Sequence, residues 1–166
     1  MISANHIAYT ERINPSGVTT ALSVEQLWPL LQRKIRRAHE FVPAGITSTK
    51  VLSTSTTPLG LPVTVREAVF LEGGRIVREE CIEYYPVKVE FVQPDGSKVQ
   101  NIISEGPDGE LYMTYTFEWL HPELEGDVTA LAQKREHEMK LAKLAIGSTL
   151  KVMREMVVDG RWKEQI

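Results

Sequence analysis

Residues 127–158 read DVTALAQKREHEMKLAKLAIGSTLKVMREMVV. This run has no proline, is rich in Ala, Leu, Lys, Met and Glu, and is followed shortly by Gly160, so it predicts one long helix. At helical spacing its carboxy-terminal half presents Leu141, Ala142, Ala145, Thr149, Val152, Met153 and Met156 on one face. The same face of the amino-terminal half carries Lys134, Arg135 and Glu138. The first part is therefore expected over a polar mouth and the second over an apolar interior. Small side chains at Ala142, Ala145 and Thr149, near Gly147, leave room there for a ligand. Close packing of helix on sheet, with no space left, is the alternative.

Working back toward the amino terminus, six strands are predicted at Thr47–Ser55, Val63–Leu71, Arg75–Tyr85, Val87–Val92, Lys98–Ser104 and Glu110–Leu120. The separators are turn formers: Pro58-Leu59-Gly60, Gly73-Gly74, Pro94-Asp95-Gly96 and Pro107-Asp108-Gly109, with Tyr85-Pro86 a weaker break. Ahead of them lie a first strand, His6–Asn14, and a helix from about Val24 to His39 closed by Phe41-Val42-Pro43. Ser23 and Gln26 have the spacing of a capping box at its start. A sheet with one apolar face must bury it, and the long terminal helix is the available cover. The expected class is α+β, a curved antiparallel sheet around that helix with a hydrophobic cavity between them.

The chain has 166 residues, a net charge of -3 and 42% hydrophobic residues, which fits a single domain over 1–166. The near-neutral charge argues against a nucleic-acid or polybasic membrane binder. A single cysteine, Cys81, excludes an intrachain disulfide and a multi-cysteine zinc site. No apolar run approaches the roughly 18 residues of a membrane span, and MISANHIAYTERINPSG lacks the form of a signal peptide. A cytoplasmic protein is expected. The four histidines, His6, His39, His121 and His137, are too scattered to suggest a ligand set, and no phosphate loop or Gly-x-Ser-x-Gly elbow occurs. No metal is expected.

Several short motifs in a fixed order resemble one superfamily. Leu22-Ser23-Val24-Glu25-Gln26-Leu27-Trp28 is followed by Lys34 and Phe41-Val42-Pro43; Ile13-Asn14-Pro15, Arg66-Glu67, Asn101-Ile102-Ile103, Gly109-Glu110-Leu111 and Thr114-Tyr115-Thr116-Phe117 add to it. Together they resemble the small-domain bacterial, archaeal and fungal branch of the SRPBCC (START-like, helix-grip) superfamily. The chain departs from that pattern at Pro29-Leu30 and at Ala38-His39-Glu40, where the family commonly has a glycine and an acidic-proline pair. The resemblance implies a curved sheet gripping a terminal helix around a ligand cavity. It also implies binding of a lipid, hormone or polyketide, or polyketide cyclase activity, usually without metal or organic cofactor.

The candidate reacting groups come from periodicity. On the first helix Leu27, Trp28, Leu30, Leu31, Ile35 and Ala38 share an apolar arc, with Lys34 inside it and Arg33, Arg36 and Arg37 outside. Lys34 either reaches solvent past the core edge or points into a pocket, where desolvation makes its amine a base. On the last strand Leu111, Met113, Tyr115, Phe117 and Trp119 share a face, so Tyr115 brings a phenol to an apolar wall. Asn101, in phase with Val99 and Ile103, joins it as a carbonyl orienter or a structural anchor. Glu67 and Glu79 are alternative bases if either faces a dry cavity, and cross-strand Arg66–Glu80 or Glu67–Arg78 pairing is the competing expectation. The expected lining is Trp28 and Leu31 from the first helix and Met113, Phe117 and Trp119 from the last strand. The long helix is expected to add Glu138, Leu141, Ala145, Thr149 and Met153.

Two activities fit these groups. One is a cofactor-independent cyclase closing a poly-keto chain by aldol or lactone (pyrone-type) chemistry, with possible thioester release. Arg33, Arg36 and Arg37 are then available to an acyl carrier protein or polyketide synthase. The other is a non-catalytic carrier of a small hydrophobic metabolite or lipid, as monomer or homodimer.

Overall fold

Turn-forming residues stand where the chain reverses, and the strands between them form one sheet. The computed structural model describes residues 2–166. In chain order the elements are β1 (Ala4–Arg12), α1 (Val24–Arg36), α2 (Ala38–Phe41), β2 (Ile46–Thr56), β3 (Pro62–Phe70), β4 (Ile76–Tyr84), β5 (Lys88–Val92), β6 (Lys98–Glu105), β7 (Leu111–Leu120) and α3 (Val128–Asp159). All seven strands pair antiparallel in the order β1-β7-β6-β5-β4-β3-β2. The first strand thus closes against the last, Ala4 opposite Leu120 and Arg12 opposite Tyr112. Edge strand β2 carries register shifts between Ile46 and Ser48 and between Val51 and Ser53, irregularities of the kind that bend a strand.

The expected capping box forms at α1: Gln26 N donates to Ser23 Oγ at 3.3 Å, and Ser23 N donates to Gln26 Oε1 at 3.0 Å. The helix then stops short of the expected His39. Arg37 leaves helical geometry (φ -140°, ψ 52°), and α2 is a separate turn. The reason lies across the interior. Arg66 Nη1 on β3 donates to the carbonyls of Lys34 (3.0 Å) and Ile35 (2.8 Å), which takes up free carbonyls at the end of α1.

The long helix starts one residue after Asp127, whose carboxylate accepts from Ala130 N at 2.9 Å, and ends at Gly160 in the left-handed region (φ 87°). Its buried face is Ala142, Ile146, Thr149, Leu150, Met153 and Met156, with Glu138 continuing it toward the start. Leu141, expected inside, is 39% exposed, and Ala145 is only half-buried. The helix packs chiefly along β1, at one end of the sheet, and this turns its apolar stripe about one position from the sequence expectation. Among the described residues no helix is long and apolar enough to cross a membrane.

Leu27, Leu30, Leu31 and Ile35 of α1, Met113 and Tyr115 of β7, and Ile146, Leu150, Met153 and Met156 of α3 are all essentially inaccessible and belong to one core. Ser23→Ala removes the acceptor that starts α1 and is expected to lower stability by about 1 kcal/mol in urea unfolding. An unchanged midpoint would show that the box contributes nothing.

Candidate functional site

α1 delivers Lys34 into the core because its neighbours at helical spacing, Leu27, Leu30, Leu31 and Ile35, are all buried there. The side chain is 6% exposed, and it does not reach solvent. Its amine donates to Asn101 Oδ1 on β6 (2.9 Å) and to the Tyr115 hydroxyl on β7. Asn101 and Tyr115 sit directly opposite each other in the β6–β7 ladder, so strand register alone sets them side by side. Tyr115 OH donates in turn to Thr149 Oγ1 on α3 at 3.0 Å. Four elements therefore meet at one chain of hydrogen bonds, Asn101–Lys34–Tyr115–Thr149.

No carboxylate completes it. Among the described residues Lys34 makes no ion pair, and its amine lies 4.3 Å from the Tyr115 ring centre. Burial first, and then the nearby Arg66 charge, push the Lys34 pKa down from 10.5 to about 7 against the opposing effect of Glu79. Burial pushes the Tyr115 phenol up, with the Thr149 contact opposing, so it stays protonated and able to donate. The arrangement is an amine base beside a proton-donating phenol and an amide. Asn101 commits its carbonyl oxygen to Lys34, which leaves its amide hydrogens to face another acceptor.

Glu79 does face inward but is the counter-ion of Arg66: its Oε2 accepts from Arg66 Nε (2.8 Å) and Nη2 (2.6 Å), both side chains being buried. The guanidinium also lies over the Phe91 ring at 4.7 Å. The register is Arg66 opposite Glu79 and Glu67 opposite Arg78, so the expected Arg66–Glu80 pairing is off by one residue. Glu67 alternates with Arg66, projects from the opposite side of the sheet and is only half-buried. It is not part of the cluster. The Cys81 thiol is fully buried and pushed up to about 12 by burial, so it is no nucleophile at neutral pH.

The residues expected to line a chamber are mostly in contact with one another. Trp28, Leu31, Met113, Phe117, Thr149 and Met153 belong to the buried set, and Trp119 packs half-buried on Phe117 with ring centres 4.5 Å apart. Asn101, Tyr115, Thr149 and Met153 are at most 1% exposed, so almost no solvent-sized space borders them. Of the small side chains on α3, Thr149 meets the Tyr115 phenol. Two concavities lie at the surface instead, one of about 650 Å³ along Pro29, Gln32, Arg36 and Trp162, the other of about 370 Å³ beside Thr19 and Arg154.

Arg33, expected on the exposed face with Arg36 and Arg37, is buried. Its guanidinium binds Glu40 (2.6 Å) and Glu164 (2.8 Å), ion pairs that the sequence spacing concealed.

Glu138, expected among the lining residues at a polar mouth, instead anchors a second buried polar group. Glu138 accepts from Asn5 Nδ2 (2.7 Å) and lies 2.6 Å from His121 Nε2, while His121 Nδ1 lies 3.1 Å from Glu123. The polar half of α3 is thereby tied to the β1–β7 edge. Nothing in the spacing of the four histidines signals it; the only local hint is that His121 directly follows the strand paired with Asn5. Among the described residues no group of three His, Cys, Asp or Glu side chains is placed to hold a metal ion.

An antiparallel seven-stranded sheet curved around a long terminal helix is a helix-grip fold. The chain belongs to the acetylaranotin biosynthesis cluster protein L family, whose model matches residues 7–160. Among solved structures it is similar to the di-domain ARO/CYC StfQ from the steffimycin biosynthetic pathway (TM-score 0.64, 10% identity, 95% of this chain and 52% of that one). It is also similar to the di-domain ARO/CYC BexL from the BE-7585A biosynthetic pathway (TM-score 0.59, 12% identity, 92% and 49%). The chain thus spans about half the length of each di-domain protein. TTHA0849 from Thermus thermophilus matches end to end (TM-score 0.53, 18% identity, 95% and 99%). Identities this low carry the fold alone. The comparison with curated protein sequences finds no match.

The burial of Lys34 has a measurable signature. In the unfolded chain the amine titrates near 10.5 and in the folded one at about 7. Between those values the unfolded state binds more protons, so stability rises with pH. From about pH 6 to about pH 9 this contributes about 2.5 kcal/mol. Lys34→Met removes that rise, and urea unfolding at the two pH values should show a smaller gain for the variant than for wild type. Equal gains would place the amine in water.

Proposed function

We propose that the chain is a polyketide cyclase-like enzyme that receives the polar end of a hydrophobic poly-keto chain at Lys34, Tyr115 and Asn101 and promotes intramolecular closure. The observation that carries this reading is a buried amine with a pKa of about 7 and two polar neighbours but no counter-ion. Closure of a poly-keto chain needs a base for the acidic C–H between two carbonyls and donors for the enolate oxygen it leaves. The neutral Lys34 amine serves as the base. The Asn101 amide is one donor; the Tyr115 hydroxyl, which donates to Thr149 Oγ1 in this structure, becomes the other when its proton turns to the substrate and the Thr149 hydroxyl donates to the phenol oxygen instead. Aldol closure follows if the enolate carbon attacks a distant ketone; lactone (pyrone-type) closure follows if an enol oxygen attacks a thioester, which also releases the chain. These steps use no metal or organic cofactor.

The family description, a biosynthesis cluster protein, and the fold shared with ARO/CYC proteins support this class of chemistry. Entry to the site requires side chains to move, and the unbranched Met113, Met153 and Met156 in the same core are the ones that re-pack at least cost. Half-exposed Arg37 and partly exposed Arg36, at the end of α1, are suited to an acidic acyl carrier protein delivering the chain. The cytoplasm is the compartment in which such a carrier is met.

A second reading, a non-catalytic carrier of a hydrophobic metabolite, is favoured by the filled interior, in which the Lys34 amine already has two hydrogen-bond partners. Incubation with a carrier-bound poly-keto chain separates the two. The cyclase reading expects faster closure with wild type and a loss of at least about tenfold in Lys34→Met at equal folded fraction. Binding with an unchanged product profile supports the carrier.

A further inference from the structure

We propose that Lys34 captures its substrate covalently, condensing with one carbonyl of a 1,3-dicarbonyl to form an enaminone. This deepens the reading above and rests on it, since it takes the same site to be where a keto chain reacts. Three observations point to it. The amine donates to Asn101 Oδ1 and to the Tyr115 hydroxyl, which accounts for both N–H bonds of its neutral form, and no donor among the described residues bonds the lone pair. No carboxylate holds a proton on it; the one buried carboxylate nearby, Glu79, is already bound by Arg66. The phenol beside it is protonated and shares its hydrogen bond with a second hydroxyl, Thr149, so its proton can turn from Thr149 Oγ1 to an oxygen on the attacked carbon while Thr149 donates to the phenol oxygen in return.

The step balances without oxidant or reductant. Nζ attacks the carbonyl carbon, the C–N bond forms, and the carbonyl oxygen takes the Tyr115 proton. The nitrogen returns a proton to the phenolate, giving a neutral carbinolamine. A second proton from Tyr115 lets that oxygen leave as water while the C=N bond forms. Tyr115 is then restored by the proton lost from the carbon between the two original carbonyls. The product is an enaminone, whose central carbon is the nucleophile that ring closure requires. Asn101 explains the preference for a dicarbonyl. Its carbonyl oxygen lies 2.9 Å from Nζ, so its amide hydrogens are within reach of an oxygen two carbons from the captured one. A monoketone would leave that donor unused.

The test uses the whole protein and 2,4-pentanedione at about pH 8, where an ordinary surface lysine is less than about 1% neutral. The expected result is a single mass gain of one pentanedione less one water. Peptide mapping should assign it to Lys34, with acetone giving none. Labelling at Lys34 should run at least about tenfold faster than at any other lysine and follow a midpoint near 7. No adduct, or adducts spread over surface lysines such as Lys151 and Lys163, would overturn the proposal. The map reads the wild-type chain, so it does not depend on a Lys34 variant folding. A parallel incubation with the poly-keto substrate keeps the two ideas apart. Accelerated closure with no adduct rejects covalent capture and leaves the cyclase standing; an adduct without closure supports capture and removes the cyclase.

Discussion

A primary amine buried with no carboxylate partner among the described residues is the constraint around which this interior is arranged. Removing an ammonium from water costs several kcal/mol, and a protein normally avoids that by pairing the charge or letting the side chain reach solvent. Lys34 does neither. It gives up its proton near neutrality instead, and the polar atoms about it are those that a neutral amine can satisfy: an amide oxygen and a phenol. The buried Arg66–Glu79 pair works with this arrangement. Glu79 neutralises Arg66 rather than Lys34, while Arg66 binds the carbonyls of Lys34 and Ile35 and ends α1 there. The same guanidinium therefore fixes the position of the Lys34 backbone and discourages a charge on its side chain.

Much of this was legible from residue order. The turn dipeptides marked the strand ends, alternation along β7 put Met113, Tyr115 and Phe117 on the buried face, and helical spacing put Lys34 among leucines. Asn101 and Tyr115 were each read as inward from their own strands. That they stand opposite each other depends on the β6–β7 register, which single strands do not encode. The same gap explains the misplaced Arg66–Glu80 pair: a shift of one residue changes every cross-strand partner. Arg33 failed for a different reason. Its partners Glu40 and Glu164 lie beyond the helix, one of them near the carboxy terminus, so its spacing on α1 looked like that of a solvated residue. The tie between Asn5, His121 and Glu138 joins segments too distant in sequence for any local pattern to reveal.

The interior is also fuller than small side chains on the long helix suggested. Thr149 is fully buried and accepts a hydrogen bond from the Tyr115 hydroxyl at 3.0 Å, so its side chain belongs to the packed core. The polar cluster on β6, β7, α1 and α3 is surrounded by the buried methionines Met113, Met153 and Met156, and its central feature is the protonation state of one amine.

That state can be observed directly. In protein carrying 13C at lysine Cε, NMR titration should show one lysine resonance, absent from Lys34→Met, with a midpoint near 7. If no lysine resonance of the folded protein titrates near 7, the amine is neither buried nor neutral, and the account of this site is wrong.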